Sequence, residues 1–271
     1  MAPRDGCAST GIVQDVAALS GLSPNQILDV EPPTRGRQTR LSLMLAVALI
    51  GSWLALHVYC LFFHDFAADS VLVAVLTAAL LTWLYVGIFI VAHDCMHGSL
   101  APGRPLVNRV IGQICVFLYA GFSFDALNRK HHLHHRHAGT EADPDFDHHP
   151  PHSFFAWYLR FFMQYFTWRE LLVIAGMSNI YMHLLAVDVA NIVAFWAGPA
   201  LVSSLQLFTF GTYLPHRPEA TAFNDRHRTR SNSYPWWISL LTCFHFGYHH
   251  EHHSRPDLPW WRLPAARTNQ A

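Results

Sequence analysis

The stretch VLVAVLTAALLTWLYVGIFIVAHDCMH, residues 71–97, carries no charged side chain before Asp94 and closes on His93-Asp94-Cys95-Met96-His97. At 1.5 Å per residue, the run of about 22 apolar positions from Val71 to Ala92 makes a helix of about 33 Å, enough to cross the hydrocarbon core of a bilayer. The two histidines at its end fall at i and i+4, on one face of that helix. One element therefore raises both questions: how the chain crosses a membrane, and what its histidines bind.

Working outward, Leu41–Phe63 is a second apolar run whose ionisable members are His57, Tyr59 and Cys60. The short connection between the runs holds His64, Asp65 and Asp69, so a helical hairpin is expected. Arg35, Arg37 and Arg40 precede the first run, and Arg104, Arg109, Arg129, Lys130 and Arg136 follow the second. The positive-inside rule places both flanks in the cytoplasm. Leu106–Phe124 is interrupted by Asn108, Arg109 and Gln113, and the stretch around Trp157, Arg160, Trp168 and Arg169 has the mixed character of an interfacial segment; neither is counted as a crossing. Leu171–Leu214 is apolar again, with Asp188 and Asn191 near its middle, and is long enough for two spans. The expected spans are 41–63, 71–92, 171–187 and 189–214, within a single domain, 41–271. Residues 1–40 lack the pattern of a secretory signal, and their Pro, Gly, Arg and Ser content suggests a flexible arm.

Composition narrows the function classes. Of the 271 residues, 52% are hydrophobic and only 13% charged, and Lys plus Arg equals Asp plus Glu at 18 each. A soluble domain carries roughly 25% charge, and a nucleic-acid binder carries a basic surplus, so neither class fits. The five cysteines form no close pair, which excludes a CxxC site and a disulfide framework; they are read as reduced and mostly buried. Histidine is the outlier: there are 20, and 18 of them lie at or after His93.

Those histidines repeat one spacing. His131, His134 and His135 stand at i, i+3 and i+4 within HHLHHRH, and His249, His252 and His253 do so within HHEHH. On a helix each triplet offers three imidazoles to one side, so with His93 and His97 the donors number eight, from 2 + 3 + 3. Eight exceed what one ion binds, and imidazole without thiolate suits iron, copper, nickel or zinc rather than an iron–sulfur cluster. Two six-coordinate irons, each with about four imidazoles and open positions for O2, fit this count. A dinuclear zinc site fits the donor chemistry alone, and a membrane metal-handling protein is the reading from another class. His216 emerges at the end of the last expected span and could add a ninth donor, while His227 lies farther into the following loop. His132, His137 and His250 fall off the pattern, and His148, His149 and His152 sit in a Pro-rich loop; all six are read as solvent-facing or supporting. Asp94, Glu251, His245 and His227 are candidates to support the ligands through a second ring nitrogen. The alternating Glu141, Asp143, Asp145 and Asp147 resemble a calcium loop, but His148 stands where such a loop needs glycine. A solvated turn or carboxylates orienting ligand histidines remain for that run.

The three boxes resemble the membrane di-iron superfamily of fatty acid desaturases, alkane hydroxylases and carotenoid oxygenases. Longer strings resemble the bacterial-type β-carotene ketolases in particular: AHDCMHGS at 92–99, YAGF at 119–122, HHRHAGT at 134–140, DPDFD at 143–147, FGTYLPHR at 210–217, LTCFHFG at 241–247 and PWWRLP at 259–264. The resemblance covers about residues 40–264. It implies an all-α integral membrane protein of about four transmembrane helices, with a cytoplasmic helical cap holding a histidine-ligated di-iron site. It also implies O2-dependent oxidation of the ring C4 methylene of β-carotene by two hydroxylations and a dehydration, giving echinenone and then canthaxanthin. A carotenoid hydroxylase or a fatty acid desaturase is the alternative within the superfamily.

Carried over position by position, the ligands of two non-haem irons are His93, His97, His131, His134, His135, His249, His252 and His253, with His216 as the added one. The choice of His131 over His132 rests on spacing. β-Carotene is an apolar rod dissolved in the bilayer, so an apolar channel is expected beside the metals, with Phe122, Phe124, Phe210 and Phe246 among its candidate walls. The sequence has no nucleotide, haem or flavin motif, so electrons are expected from a separate donor, reduced ferredoxin with its reductase. Arg226, Arg228 and Arg230 either receive that donor or enforce topology. The expected location is the bacterial inner membrane, with both termini and the site on the cytoplasmic side.

Overall fold

In the computed structural model, residue 31 and residues 33–218, 223 and 225–267 are described, and they form helices joined by loops and turns, without strands. The first helix, α1 (Arg35–Phe62), buries Gln38, Ser42, Ala46, Trp53, His57 and Cys60, spaced three, four or seven apart along one face. Its other face exposes Met44, Val47, Leu54, Val58 and Phe62. A broad apolar face with no protein against it is what a lipid-facing helix presents. After the connection at 63–70, α2 (Val71–His97) exposes Val71, Leu72, Val73, Val75 and Leu76, then is buried almost continuously from Leu81 to Met96. It is the central helix, packed by α1, by α3 (Pro105–Ala120) and by the long helix α7 (Val189–His216).

Helix α3 ends where Gly121 adopts a left-handed conformation at φ 72°, and α4 (Phe124–His137) departs at 98° to it. The Gln113 side chain braces this corner, donating to the Phe122 carbonyl at 3.0 Å and accepting from the Phe124 N–H at 3.0 Å. A Cβ on Gly121 would also lie 2.6 Å from the Val173 side chain, so glycine is required there both by φ and by space. The bend turns α4 back so that its histidines meet the end of α2.

The amphipathic α5 (Phe154–Tyr165) buries Trp157 and exposes Phe155, Leu159 and Met163. Helix α6 (Trp168–Asn179) starts on a capping box between Thr167 and Glu170 and continues into a π-helical turn, Ile180–Leu184. Asp188 accepts the Ala190 N–H at 2.7 Å and starts α7, which contains two further π turns, Val193–Ala197 and Thr209–Tyr213. Short helices α8 (Trp236–Cys243), α9 (His249–Ser254) and α10 (Leu263–Ala266) complete the described chain.

Among the described residues three helices, Arg35–Phe62, Val71–His97 and Val189–His216, are long and apolar enough to cross a membrane, or four if the bent pair α3 and α4 counts as one span. Three of the expected spans thus coincide with long helices. The expected span 171–187 differs: its α-helix stops at Asn179, whose side chain bonds back to the Ala175 carbonyl, and the π turn ends at Leu184. The expected arm 1–40 differs at its end, since Arg35 to Arg40 already belong to α1 and Gln38 donates to the Ser99 carbonyl at 2.7 Å. Residues 1–30 lie outside the described residues.

Asn191, in the apolar run of α7, explains itself through packing. Its side-chain amide donates to the carbonyls of Cys60 and His64, both at 2.9 Å, serving the last turn of α1 and the connection after it. Asn191→Leu leaves those buried carbonyls unpaired and is expected to cost about 1–3 kcal/mol, read as a lower melting temperature of the detergent-purified protein.

Candidate metal centre

Four elements bring histidines to one place. Helix α2 delivers His93 and His97 from its last turn, which Gly98 closes in a left-handed conformation at φ 71°. Helix α4 delivers His131, His134 and His135; α9 delivers His249, His252 and His253; and His216 is the final residue of α7. Because i, i+3 and i+4 positions share a helix face, each triplet can turn all its rings one way.

The nine imidazoles fall into two groups. His93, His97, His131, His135 and His252 offer one nitrogen each within 4.8 Å of one another, and His134, His216, His249 and His253 do the same. The groups touch where the rings of His135 and His253 stack at 4.0 Å. The helices are shared between the groups: α4 gives His131 and His135 to the first and His134 to the second, while α9 gives His252 to the first and His249 and His253 to the second.

Within the groups, Nε2 atoms approach closely: His97 and His131 at 2.7 Å, His135 and His252 at 3.0 Å, His216 and His249 at 3.0 Å, and His249 and His253 at 3.1 Å. With a metal–nitrogen bond of about 2.1 Å, adjacent corners of an octahedron are about 3.0 Å apart, against about 3.4 Å for a tetrahedron. The spacing is of the size that nitrogens sharing one ion require, and each group could hold a metal ion. Burial, reinforced by the neighbouring imidazoles, holds His249, His252 and His253 well below the usual histidine range, which keeps them neutral with a lone pair to offer. His93 Nε2, His249 Nδ1 and His253 Nδ1 are buried without a hydrogen-bond partner among the described residues. The unpaired buried nitrogen of His93, among rings whose other nitrogens converge, fits a metal centre and is costly without one.

The supporting contacts differ in part from the expected ones. His134 donates from Nδ1 to Asp143 at 2.9 Å, and Asp143 is fixed in turn by the N–H groups of Gly139 and Asp145. Against the pull of burial, the His134 contact and these N–H groups hold Asp143 below the usual carboxylate range. The alternating carboxylates thus include an orienting one. His216 donates from Nδ1 to the Arg228 carbonyl at 3.0 Å, and His132, next to His131, bonds the Met96 carbonyl at 3.1 Å.

Asp94, expected as a support, touches none of the nine rings; its carboxylate accepts the Trp260 N–H at 3.1 Å, tying the C-terminal segment to α2. Glu251 accepts the Ser231 hydroxyl and braces α9 against the preceding loop. His245, in a left-handed conformation at φ 64°, stacks on Tyr248 with ring centroids 5.7 Å apart, one loop away from the centre. His227 stays at the rim, its ring 6.2 Å from that of His253, outside both groups.

An apolar cavity of about 380 Å³ runs up to the imidazoles, reaching His93, His131, His134 and His249. Phe122 and Phe246 line it; Phe124 packs instead against Gly112, and Phe210 lies in the packed core. Phe246 stands between cavity and centre, its ring 4.6 Å from that of His93 and 4.8 Å from that of His249. Gly211 makes room for it, since a Cβ there would come within 2.4 Å of the Phe246 ring. Tyr165, Trp196 and Tyr181 also line the cavity and carried no signal in the sequence, because aromatic residues abound throughout the chain.

A helical bundle with long apolar helices that gathers nine buried or partly buried imidazoles at the end of an apolar cavity has the make-up of a membrane polyhistidine metal protein. The family model of the fatty acid desaturases matches residues 69–189 and 164–270. A β-carotene ketolase from Paracoccus sp. is 52% identical over 231 residues, 85% of this chain and 93% of that protein. Another from a second Paracoccus strain is 51% identical over 238 residues, 88% of this chain and 96% of that protein. A zeaxanthin 4-ketolase from Chlamydomonas reinhardtii is 37% identical over 235 residues, 82% of this chain and 52% of the algal protein. The chain belongs to the fatty acid desaturase family and, within it, to the family of the β-carotene ketolases.

Asp143→Ala removes the acceptor that fixes the His134 ring while leaving the nine donors in place. It is expected to weaken metal binding by about 10–100-fold, measured as metal retained against a competing chelator.

Proposed function

We propose that this protein is a di-iron β-carotene 4-ketolase that oxidises the C4 methylene of the β-ionone ring to a ketone, converting β-carotene to echinenone and then canthaxanthin. The observation that carries the reading is the apolar cavity ending on two groups of imidazoles, in a chain about half identical to β-carotene ketolases over nearly their full length. His93, His97, His131, His135 and His252 would hold one iron, and His134, His216, His249 and His253 the other. Bound there, a reduced iron pair would supply the activation of O2 and the oxidation of an allylic C–H bond, which no side chain here can perform.

The remaining work belongs to the protein. The apolar cavity wall, with Phe122 and Phe246 in it, keeps water out and receives the ring beside the imidazoles. Asp143 fixes the tautomer of His134, so that Nε2 points to the second group. Each hydroxylation consumes one O2, two electrons and two protons and releases one water; the geminal diol formed by the second loses water to leave the ketone. The electrons come from an external donor, reduced ferredoxin. The location is the bacterial inner membrane, with the centre on the cytoplasmic side. Supporting this, Arg35, Arg37 and Arg40 sit at the start of α1, the end of the bundle where Gln38 meets Ser99 just beyond His97.

Expression in a bacterial host that accumulates β-carotene tests the reading. The expected product has gained two oxygens and lost four hydrogens, with a red-shifted spectrum. Gain of oxygen without loss of hydrogen would make the protein a hydroxylase, and unchanged pigment with verified membrane expression would overturn the carotenoid assignment. His97→Ala, His134→Ala and His252→Ala are each expected to abolish turnover and lower bound iron, while His152→Ala does neither; full activity in the His134→Ala protein would refute the ligand set.

A further inference from the structure

Most hydroxyl groups in the cavity wall are already engaged. Tyr119 pairs with Ser203, Tyr165 donates to Asp145, Tyr181 meets His57, and Ser204 meets Tyr158. Ser178 and Thr212 remain, and of the two Thr212 is buried while Ser178 is only partly so. Thr212 lines the cavity, it is only 5% exposed, and its hydroxyl has no hydrogen-bond partner among the described residues. A threonine inside a helix ordinarily bonds the carbonyl three or four residues back, as Thr209 does to Leu205 at 2.7 Å. Thr212 lies in the same π turn, Thr209–Tyr213, and makes no such bond.

Its position is as informative as its free valence. Thr212 follows Gly211, which packs on Phe246, and precedes His216 by one helical turn, so it stands at the metal end of the cavity. A hydroxyl that faces an apolar cavity without a protein partner lacks a hydrogen bond that a ligand oxygen placed there would supply.

We propose that Thr212 is a substrate-positioning residue that hydrogen-bonds the oxygen installed at C4, holding the 4-hydroxy ring for its second oxidation. This rests on the ketolase reading of the cavity. The first hydroxylation replaces one C4 hydrogen by a hydroxyl. The second must then reach the remaining C4 hydrogen, so the new hydroxyl has to be held aside. β-Carotene itself offers Thr212 no partner, whereas the alcohol does, so the contact arises only after the first step and favours retaining the intermediate over releasing it. The overall balance is unchanged: two hydroxylations, each using one O2, two electrons and two protons, followed by loss of water.

The test compares wild type, Thr212→Val and Thr212→Ser in β-carotene-accumulating cells and in purified protein. Thr212→Val, which keeps the side-chain shape, is expected to bind as much iron as wild type but to raise the ratio of 4-hydroxy to 4-keto pigments by about 3–10-fold, the worth of one neutral hydrogen bond. Thr212→Ser is expected to restore the wild-type ratio. In metal-free protein, tryptophan quenching should show Thr212→Val losing affinity for 4-hydroxy-β-carotene by a similar factor while its affinity for β-carotene holds. An unchanged pigment ratio in Thr212→Val, or equal loss of affinity for both pigments, overturns the proposal while leaving the ketolase reading standing. Failure of the wild-type chain to form any ketone would instead overturn that reading.

Discussion

Nine imidazoles are withdrawn wholly or in part from water and gathered into two groups, and the helices that carry them end or bend where that gathering requires. Desolvated neutral rings with unpaired nitrogens are expensive. The fold meets the cost by enclosing them on all sides: α2 from one side, α4 returning from the corner at Gly121, α9 from the C-terminal segment and His216 from the end of α7. The corner is therefore more than a turn. Without the left-handed Gly121 and the Gln113 brace, α4 would continue away from α2 and the second box would face lipid or water.

The sharing of boxes between the two groups follows from helix geometry. Residues i and i+4 differ by about 40° around the axis and i+3 falls about 60° to the other side of i, so a triplet fans across a wide arc. In α4 that arc is divided: His131 and His135 form one edge and His134 the other. In α9 the division is reversed, with His249 and His253 on one edge and His252 on the other. Two antisymmetrically divided fans build two adjacent sites from two short helices, and the helix ends of α2 and α7 complete one each. The stacked rings of His135 and His253 mark the seam.

The same helices that are long and apolar enough to cross a membrane also shape the cavity. α7 contributes Gly211, whose missing side chain admits the Phe246 ring between the cavity and His93 and His249. The π turn that contains Gly211 and Thr212 lies just before His216. Local departure from regular helix thus coincides with the place where cavity and centre meet, a common association of π turns with functional sites.

How much of this was legible in the sequence depends on range. Apolar length identified α1, α2 and α7, and the i, i+3, i+4 repeat singled out the residues that the fold brings together, because both signals are written into consecutive residues by the 3.6-residue period. Within the expected span 171–187 hydropathy reports composition alone, while the α-helix gives way after Asn179 to the π turn Ile180–Leu184. The sequence could count the imidazoles, but it could not say that His131 and His134, three residues apart, belong to different groups. It offered Asp94 and Glu251 as supports because they lie inside the boxes, and left the carboxylate run after the second box as either a solvated turn or orienting groups; the fold uses Asp94 and Glu251 to anchor other segments and takes Asp143 from that run to orient His134. Thr212 was one apolar-run threonine among others until its neighbours were known. The donors and the apolar spans were determined by sequence alone, since each is a property of one helix. The pairing of donors, the orienting carboxylate and the free hydroxyl were decided only by tertiary structure, since each depends on what another helix places opposite.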